Sequence, residues 1–175
     1  MANPRSFTVD AITPPLSALH DLDQDYEVFG PRAIARKMSG RGTQQGVWSK
    51  LRTNLSGKGW IPAGLESLDL LIPHTLLCAA PRAIQSASHA IALPAGRRTD
   101  GAEFLPQGLA ILADGRVVDT HGVLAGDVLT LTPVTGASRY QARYWPALDV
   151  FITTLRNRTD LRGNTVGWEI VAEEM

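Results

Sequence analysis

The sequence predicts a mainly β fold: a β-sandwich or barrel-like core with long hairpin and loop extensions and at most one or two short helices. Three observations predict it. The 175 residues include 16 Gly and 11 Pro, spread from end to end, which leaves little room for helices of ordinary length. The stretches between these breakers are short and strand-like, the pattern of sandwiches and barrels. Apolar residues make up 44% of the chain, enough to build a core and too many for global disorder.

Residues 1–25 are weakly patterned. Pro14-Pro15 blocks regular pairing and His20 to Asp25 is an acidic, turn-like run, so this segment reads as an N-terminal arm or edge. Residues 26–175 read as a single β domain with long loops. Within it, Glu27–Met38 and Gln44–Leu55 read as two strands joined by Ser39-Gly40-Arg41-Gly42-Thr43, a hairpin tip. This hairpin is longer than a small domain needs, and such exposed edges either require covering or pair with another chain. Ser56–Leu68 reads as a loop in which Gly57 and Gly59 allow a sharp change of direction, followed by Trp60 and Ile61 entering the core. Leu70–Ala79 is an apolar run broken at Pro73, and Gln85–Leu93 fits a strand or one short helix equally well. Pro94–Pro106 is a polar loop carrying Arg97, Arg98 and Asp100.

The clearest local signal is Leu109–Ala113, Asp114-Gly115, Arg116–Asp119. Asp-Gly between apolar runs predicts a tight hairpin with positive φ at both turn residues. Val128–Val134 gives a further strand. Leu148–Leu155 and Thr165–Ala172 form the last pair, with Val166, Trp168, Ile170 and Ala172 on one face. Trp60, Trp168 and Ile170 are therefore the expected core anchors. The connection Arg156–Asn164 is polar and basic and is expected to face solvent or an acidic neighbour.

Composition narrows function. The 17 basic and 17 acidic residues cancel, which argues against a general nucleic-acid binder but leaves room for a local basic patch. No run approaches the ~18 consecutive apolar residues of a membrane helix, and the first 15 residues contain no apolar secretory region. Cys78 is the only cysteine, so neither an intrachain disulfide nor a cysteine metal cluster is available. Its apolar neighbours raise a thiol pKa and suit a small buried hydrophobe.

Searches for chemistry return little. His20, His74, His89 and His121 have no metal-ligand spacing. Asp21, Asp23, Asp25 and Glu27 alternate, but an EF-hand counted from Asp21 would need Gly and Glu where Tyr26 and Arg32 stand. The glycines near Gly40 and Gly57 match neither a Walker loop nor a dinucleotide fingerprint, and no G-x-S-x-G elbow occurs. No catalytic residue, metal or cofactor is expected. In the last third, Arg139, Arg143, Arg156, Arg158 and Arg162 interleave with Tyr140, Tyr144 and Trp145, a pattern that also suits stacking on nucleic-acid bases or sugars. These residue types are enriched in protein–protein hot spots. The expected subunit interface is Arg41, Gly42, Trp48, Lys58, Tyr144, Trp145, Arg156 and Arg158.

Several ordered strings carry a resemblance. They are Tyr26-Glu27 with Gly30; Gln45 and Trp48-Ser49-Lys50-Leu51; Ser56-Gly57-Lys58-Gly59-Trp60-Ile61-Pro62; Cys78-Ala79-Ala80-Pro81-Arg82-Ala83-Ile84; Tyr144-Trp145-Pro146; and Trp168 to Glu174. In this order they resemble small structural tail or baseplate proteins of long-tailed bacteriophages, notably Mu-like transposable phages. The resemblance implies a non-enzymatic virion subunit, made in the bacterial host cytoplasm. It would assemble with copies of itself and other tail proteins into a ring that DNA passes through, without specific nucleic-acid contacts or a membrane. A carbohydrate-binding β-sandwich using Trp60 or Trp145 as a sugar platform is the alternative. An enzyme with an unrecognised site stays open as a third class.

Overall fold

The computed structural model describes residues 6–175, so the first five residues of the expected arm lie outside it. The fold is mainly β, with 55% of residues in strands, and the sheets are antiparallel with no closed barrel. In chain order the strands are β1 (Thr8–Val9), β2 (Asp23–Phe29), β3 (Arg32–Arg36), β4 (Gly42–Gly46), β5 (Lys50–Gly59), β6 (His74–Leu77), β7 (Arg82–Ser86), β8 (Ala90–Ala92), β9 (Gln107–Leu112), β10 (Val117–Thr120), β11 (Gly122–Ala125), β12 (Val128–Leu131), β13 (Ala137–Tyr144), β14 (Ala147–Asp160) and β15 (Thr165–Glu174). Helical structure among the described residues is confined to three single 3₁₀ turns, Leu16–Ala18, Leu65–Ser67 and Ala102–Phe104. The described chain forms two compact units, each drawn from two stretches: residues up to Thr13 with Leu76–Leu148, and Pro14–Thr75 with Asp149–Met175.

The first unit is a small sandwich. One sheet has the order β10-β9-β13-β7 and the other β11-β12-β8. Between them Ile91, Leu93, Ala110, Leu129, Leu131, Tyr140, Ala142 and Tyr144 form one buried cluster. The alternation along β13 explains its place: Tyr140, Ala142 and Tyr144 point into the core, and Arg139, Gln141 and Arg143 do not. The sequence reading treated this segment as an interface and missed the strand. It also missed β11, and it left Gln85–Leu93 undecided where the chain forms the end of β7 and then β8. The Asp114-Gly115 hairpin forms as expected, with β9 pairing β10. Its turn differs, because only Gly115 has positive φ (84°). Leu112 accepts from Gly115 N–H at 3.0 Å and donates to the Arg116 carbonyl at 2.9 Å. Three residues thus close the turn, with glycine in the left-handed position. Asp114 accepts hydrogen bonds from the backbone and side chain of Arg116, and these hold its carboxyl below the usual range.

The second unit is built on the strand order β14-β15-β5-β2. β14 and β15 pair in the expected hairpin, which runs further than expected, to Asp160↔Thr165. The basic connection Arg156–Asn164 is therefore mostly strand. Its tip is held by Asp160, whose carboxylate accepts from Arg162 N–H at 3.0 Å and Gly163 N–H at 3.1 Å. Trp168, Ile170 and Ala172 are buried, whereas Val166 is only half-buried. Trp168 Nε1 donates to the Ala18 carbonyl at 2.9 Å, so the indole is packed and its one polar group satisfied. On the neighbouring strand Trp168 lies opposite Gly57. A Cβ at Gly57 would overlap the indole ring. Gly57 and Gly59 therefore sit inside β5 as points of close approach, correcting the expected loop and change of direction.

Trp60 also departs from expectation. Expected in the core, it is 64% exposed and stacks on the His20 ring at 5.5 Å between centroids. Ile61 is exposed with it. β5 continues through Gly59, and Trp60 N–H donates to the Ser17 carbonyl at 3.0 Å, so the side chain leaves the strand after the buried face has ended.

Candidate functional site

Two surfaces of the second unit gather the polar residues singled out in the sequence. The first is a ribbon. β2 pairs with β5 up to Phe29↔Lys50, and after a break β3 pairs with β4 from Arg32↔Gly46 to Arg36↔Gly42. The expected long hairpin thus exists in two parts, a proximal pair within the sheet and a distal ribbon. Every residue of β3 and β4 is exposed. Lys37 N–H to the Arg41 carbonyl (3.1 Å) and Gly40 N–H to the Lys37 carbonyl (2.8 Å) close the tip.

The break between the parts is braced. Phe29 meets Trp48 edge to face at 5.3 Å, and the Arg52 guanidinium lies 5.0 Å from the Phe29 ring centroid. Gly30 has φ of 149°, and a Cβ there would overlap the Trp48 carbonyl oxygen. Only glycine fits this bend without strain.

The ribbon's charge is one-sided. No acidic residue occurs between Glu27 and Glu66, and the ribbon carries Arg32, Arg36, Lys37 and Arg41. Register places Arg32, Ile34 and Arg36 on one face, opposite Gly46, Gln44 and Gly42. Ile34 is 67% exposed between the two arginines.

The second surface is an open cleft of about 840 Å³ on β5, β14 and β15, lined among others by Lys58, Arg156, Asn157, Arg158, Asp160 and Trp168. Asn157 donates to Glu66 at 2.9 Å, and Arg156 stands 3.7 Å from Glu169. Backbone N–H groups of Gly163 and Arg162 hold the Asp160 carboxyl below its usual range.

The eight expected interface residues therefore fall in three places. Arg41 and Gly42 lie at the ribbon tip, with Trp48 at its base. Lys58, Arg156 and Arg158 share the cleft. Tyr144 and Trp145 are 4% and 1% exposed in the first unit and have no free surface, which corrects their assignment to an interface. Burial raises the Tyr144 hydroxyl pKa, opposed by the nearby Arg82 charge. Trp145 Nε1 donates to the Ala79 carbonyl at 3.0 Å, and its ring meets Phe104 edge to face at 6.0 Å.

The sequence reading missed a buried and fully engaged arginine. Arg98, placed in a polar loop, is 2% exposed. It forms a two-pronged pair with Asp100 at 2.9 and 2.7 Å and donates to the Ser6 and Cys78 carbonyls at 2.8 and 2.9 Å. Its guanidinium lies 3.2 Å from the Phe104 ring centroid. The Arg98 hydrogen bond is the main reason the Asp100 carboxyl is held below its usual range. An Arg-x-Asp spacing in a loop was the only available signal.

Among the described residues no group of three or more His, Cys, Asp or Glu is placed to hold a metal ion, and no helix is long and apolar enough to cross a membrane. The chain matches no protein-family model and no curated protein.

Proposed function

We propose that this chain is a structural subunit that assembles with copies of itself, of the kind that builds the tail or baseplate ring of a long-tailed bacteriophage. One observation carries the reading: a two-stranded ribbon, exposed over both strands, projects from a braced base. An isolated two-stranded hairpin is marginal in water. A chain that keeps one, with Ile34 and Met38 bare on it, has a use for it outside its own core. The virion context comes from the ordered strings that resemble Mu-like tail proteins.

Deleting Ser39 to Gly46 tests this. The wild-type chain is expected to sediment as an oligomer, and the deletion variant as a folded monomer that keeps the β-type circular dichroism and cooperative unfolding of its core. A deletion variant that assembles like wild type would remove the ribbon from the interface. A wild-type chain that stays monomeric at every concentration would end the assembly reading. Antibody labelling of virions at the tail tests the phage context separately.

The carbohydrate-binding alternative draws on the exposed Trp60 ring. Trp60 is not among the cleft-lining residues, and Trp145, the other expected platform, is buried.

A further inference from the structure

The ribbon has a counterpart of opposite charge on the same chain. Among the described residues β2 is the end strand of the order β14-β15-β5-β2. Asp23, Asp25 and Glu27 alternate along it and are all exposed, with exposed Asp21 two residues before. Asp25 accepts from Asn54 N–H at 3.2 Å and Glu27 reaches Arg52 at 3.3 Å. Among the described residues, Asp21 and Asp23 have no ion-pair partner, and neither do Arg32, Arg36, Lys37 and Arg41. Arg36 makes only a long contact to the Gly40 carbonyl, at 3.4 Å.

The spacings agree. Arg32 and Arg36 share a face four residues apart, as do Asp23 and Glu27. Each separation is about 13 Å along a strand. Glycines opposite both arginines leave their side chains unshielded on the ribbon. Within one chain these patches stay apart, since β3 is committed to β4 and its cations reach no carboxylate.

We infer that the basic face of the Arg32–Gly46 ribbon docks on the acidic β2 edge of a second copy of this chain. This rests on the assembly reading and names its contact. The two patches differ, so the contact is head to tail: each copy offers a ribbon and receives one. Repetition of such a contact closes into a ring or runs on as a filament. Charge neutrality follows for the assembly as for the chain, while the free monomer carries two bare patches of opposite sign.

Charge exchange tests it. One variant carries Arg32→Glu and Arg36→Glu, the other Asp21→Arg and Asp23→Arg. All four positions are exposed, so both variants are expected to keep the wild-type circular dichroism spectrum and unfolding midpoint. By sedimentation, each alone is expected to self-associate about 100-fold more weakly than wild type, since each sets like charges face to face. Mixed in equal amounts they are expected to assemble again, because every ribbon then meets an edge of opposite charge. Wild-type assembly is expected to weaken at about 1 M salt, where the screening length is about 3 Å. If both variants assemble like wild type, the assembly reading stands and this contact is overturned. It is equally overturned if only the ribbon variant fails and the mixture does not recover. A ribbon that instead binds duplex DNA, and loses it in the glutamate variant, has a nucleic-acid partner and also overturns the inference. Wild type that never associates defeats the underlying reading instead.

Discussion

Trp168→Ala is expected to cost about 3–5 kcal/mol, the usual penalty for emptying a buried tryptophan site. That is a large part of the ~5–15 kcal/mol that holds a domain together. Trp168 is 3% exposed, packs against Gly57 and donates to the Ala18 carbonyl. The substitution removes the ring from a site that glycine has kept open and leaves that carbonyl without its indole donor. Glu169, one residue on, stands on the other face near Arg156. A surface pair of this kind contributes ~0–1 kcal/mol, so Glu169→Ala is expected to leave stability nearly unchanged. Urea unfolding of the two variants decides between them. Equal midpoints would mean that the ring does not anchor the sheet.

Arg98→Ala is expected to be comparably severe for the first unit. Breaking a buried ion pair from one side typically costs ~3–5 kcal/mol, because the remaining partner keeps its desolvation without its counter-charge. Here Asp100 is partly exposed, which lowers that share, but the Ser6 and Cys78 carbonyls also lose their donor and Phe104 loses its guanidinium cover. Thermal unfolding at neutral pH is expected to show a large drop for Arg98→Ala. Asp100 adds a pH signature. Its folded pKa lies below its unfolded one. The folded state therefore binds the proton less readily, and stability rises with pH across that interval. The contribution is fully present above the ordinary carboxylate range, about pH 4, and is lost as pH falls through the lowered folded value. Asp100→Asn is expected to flatten this part of the acid limb in a melting series. A variant with the wild-type acid limb would show that the pair contributes nothing there.

The parts of the fold that were legible in the sequence are those whose pattern depends on neighbours a few residues away. Trp168, Ile170 and Ala172 alternate against polar partners, and Asp114-Gly115 marks its own hairpin. β13 has an equally regular alternation. Arg139 and Arg143 face outward and Tyr140 and Tyr144 inward, so composition pointed to an interface while period pointed to a strand, and period won. Gly57 was misread because a glycine that admits a ring from the next strand looks the same in sequence as one that turns the chain. Trp60 was misread because bulk was equated with burial. For Arg98 only the local pair with Asp100 was legible: its other partners, Ser6 and Cys78, are far apart in sequence, and only the fold brings their carbonyls together. For the candidate interface, Arg41, Gly42, Trp48, Lys58, Arg156 and Arg158 lie on two surfaces that the structure collects. The arginines on the β3 face went unremarked because their meaning depends on what faces them across the ribbon.

The interleaving of the two units imposes an order on biosynthesis. All segments of the unit containing Leu76–Leu148 have been made once residue 148 leaves the ribosome, so its sandwich can close at that point. The other unit begins at Pro14 and is finished only with the last residues, Asp149–Met175. β2 and β5 are made first, yet the strand that lies between β5 and β14 is β15, which is made last. Until Thr165–Glu174 emerges, β5 has an open side, and the space kept by Gly57 has no indole to receive. The nascent chain thus carries an unfinished strand through the synthesis of more than half its length, and unpaired strands of this kind are where aggregation begins.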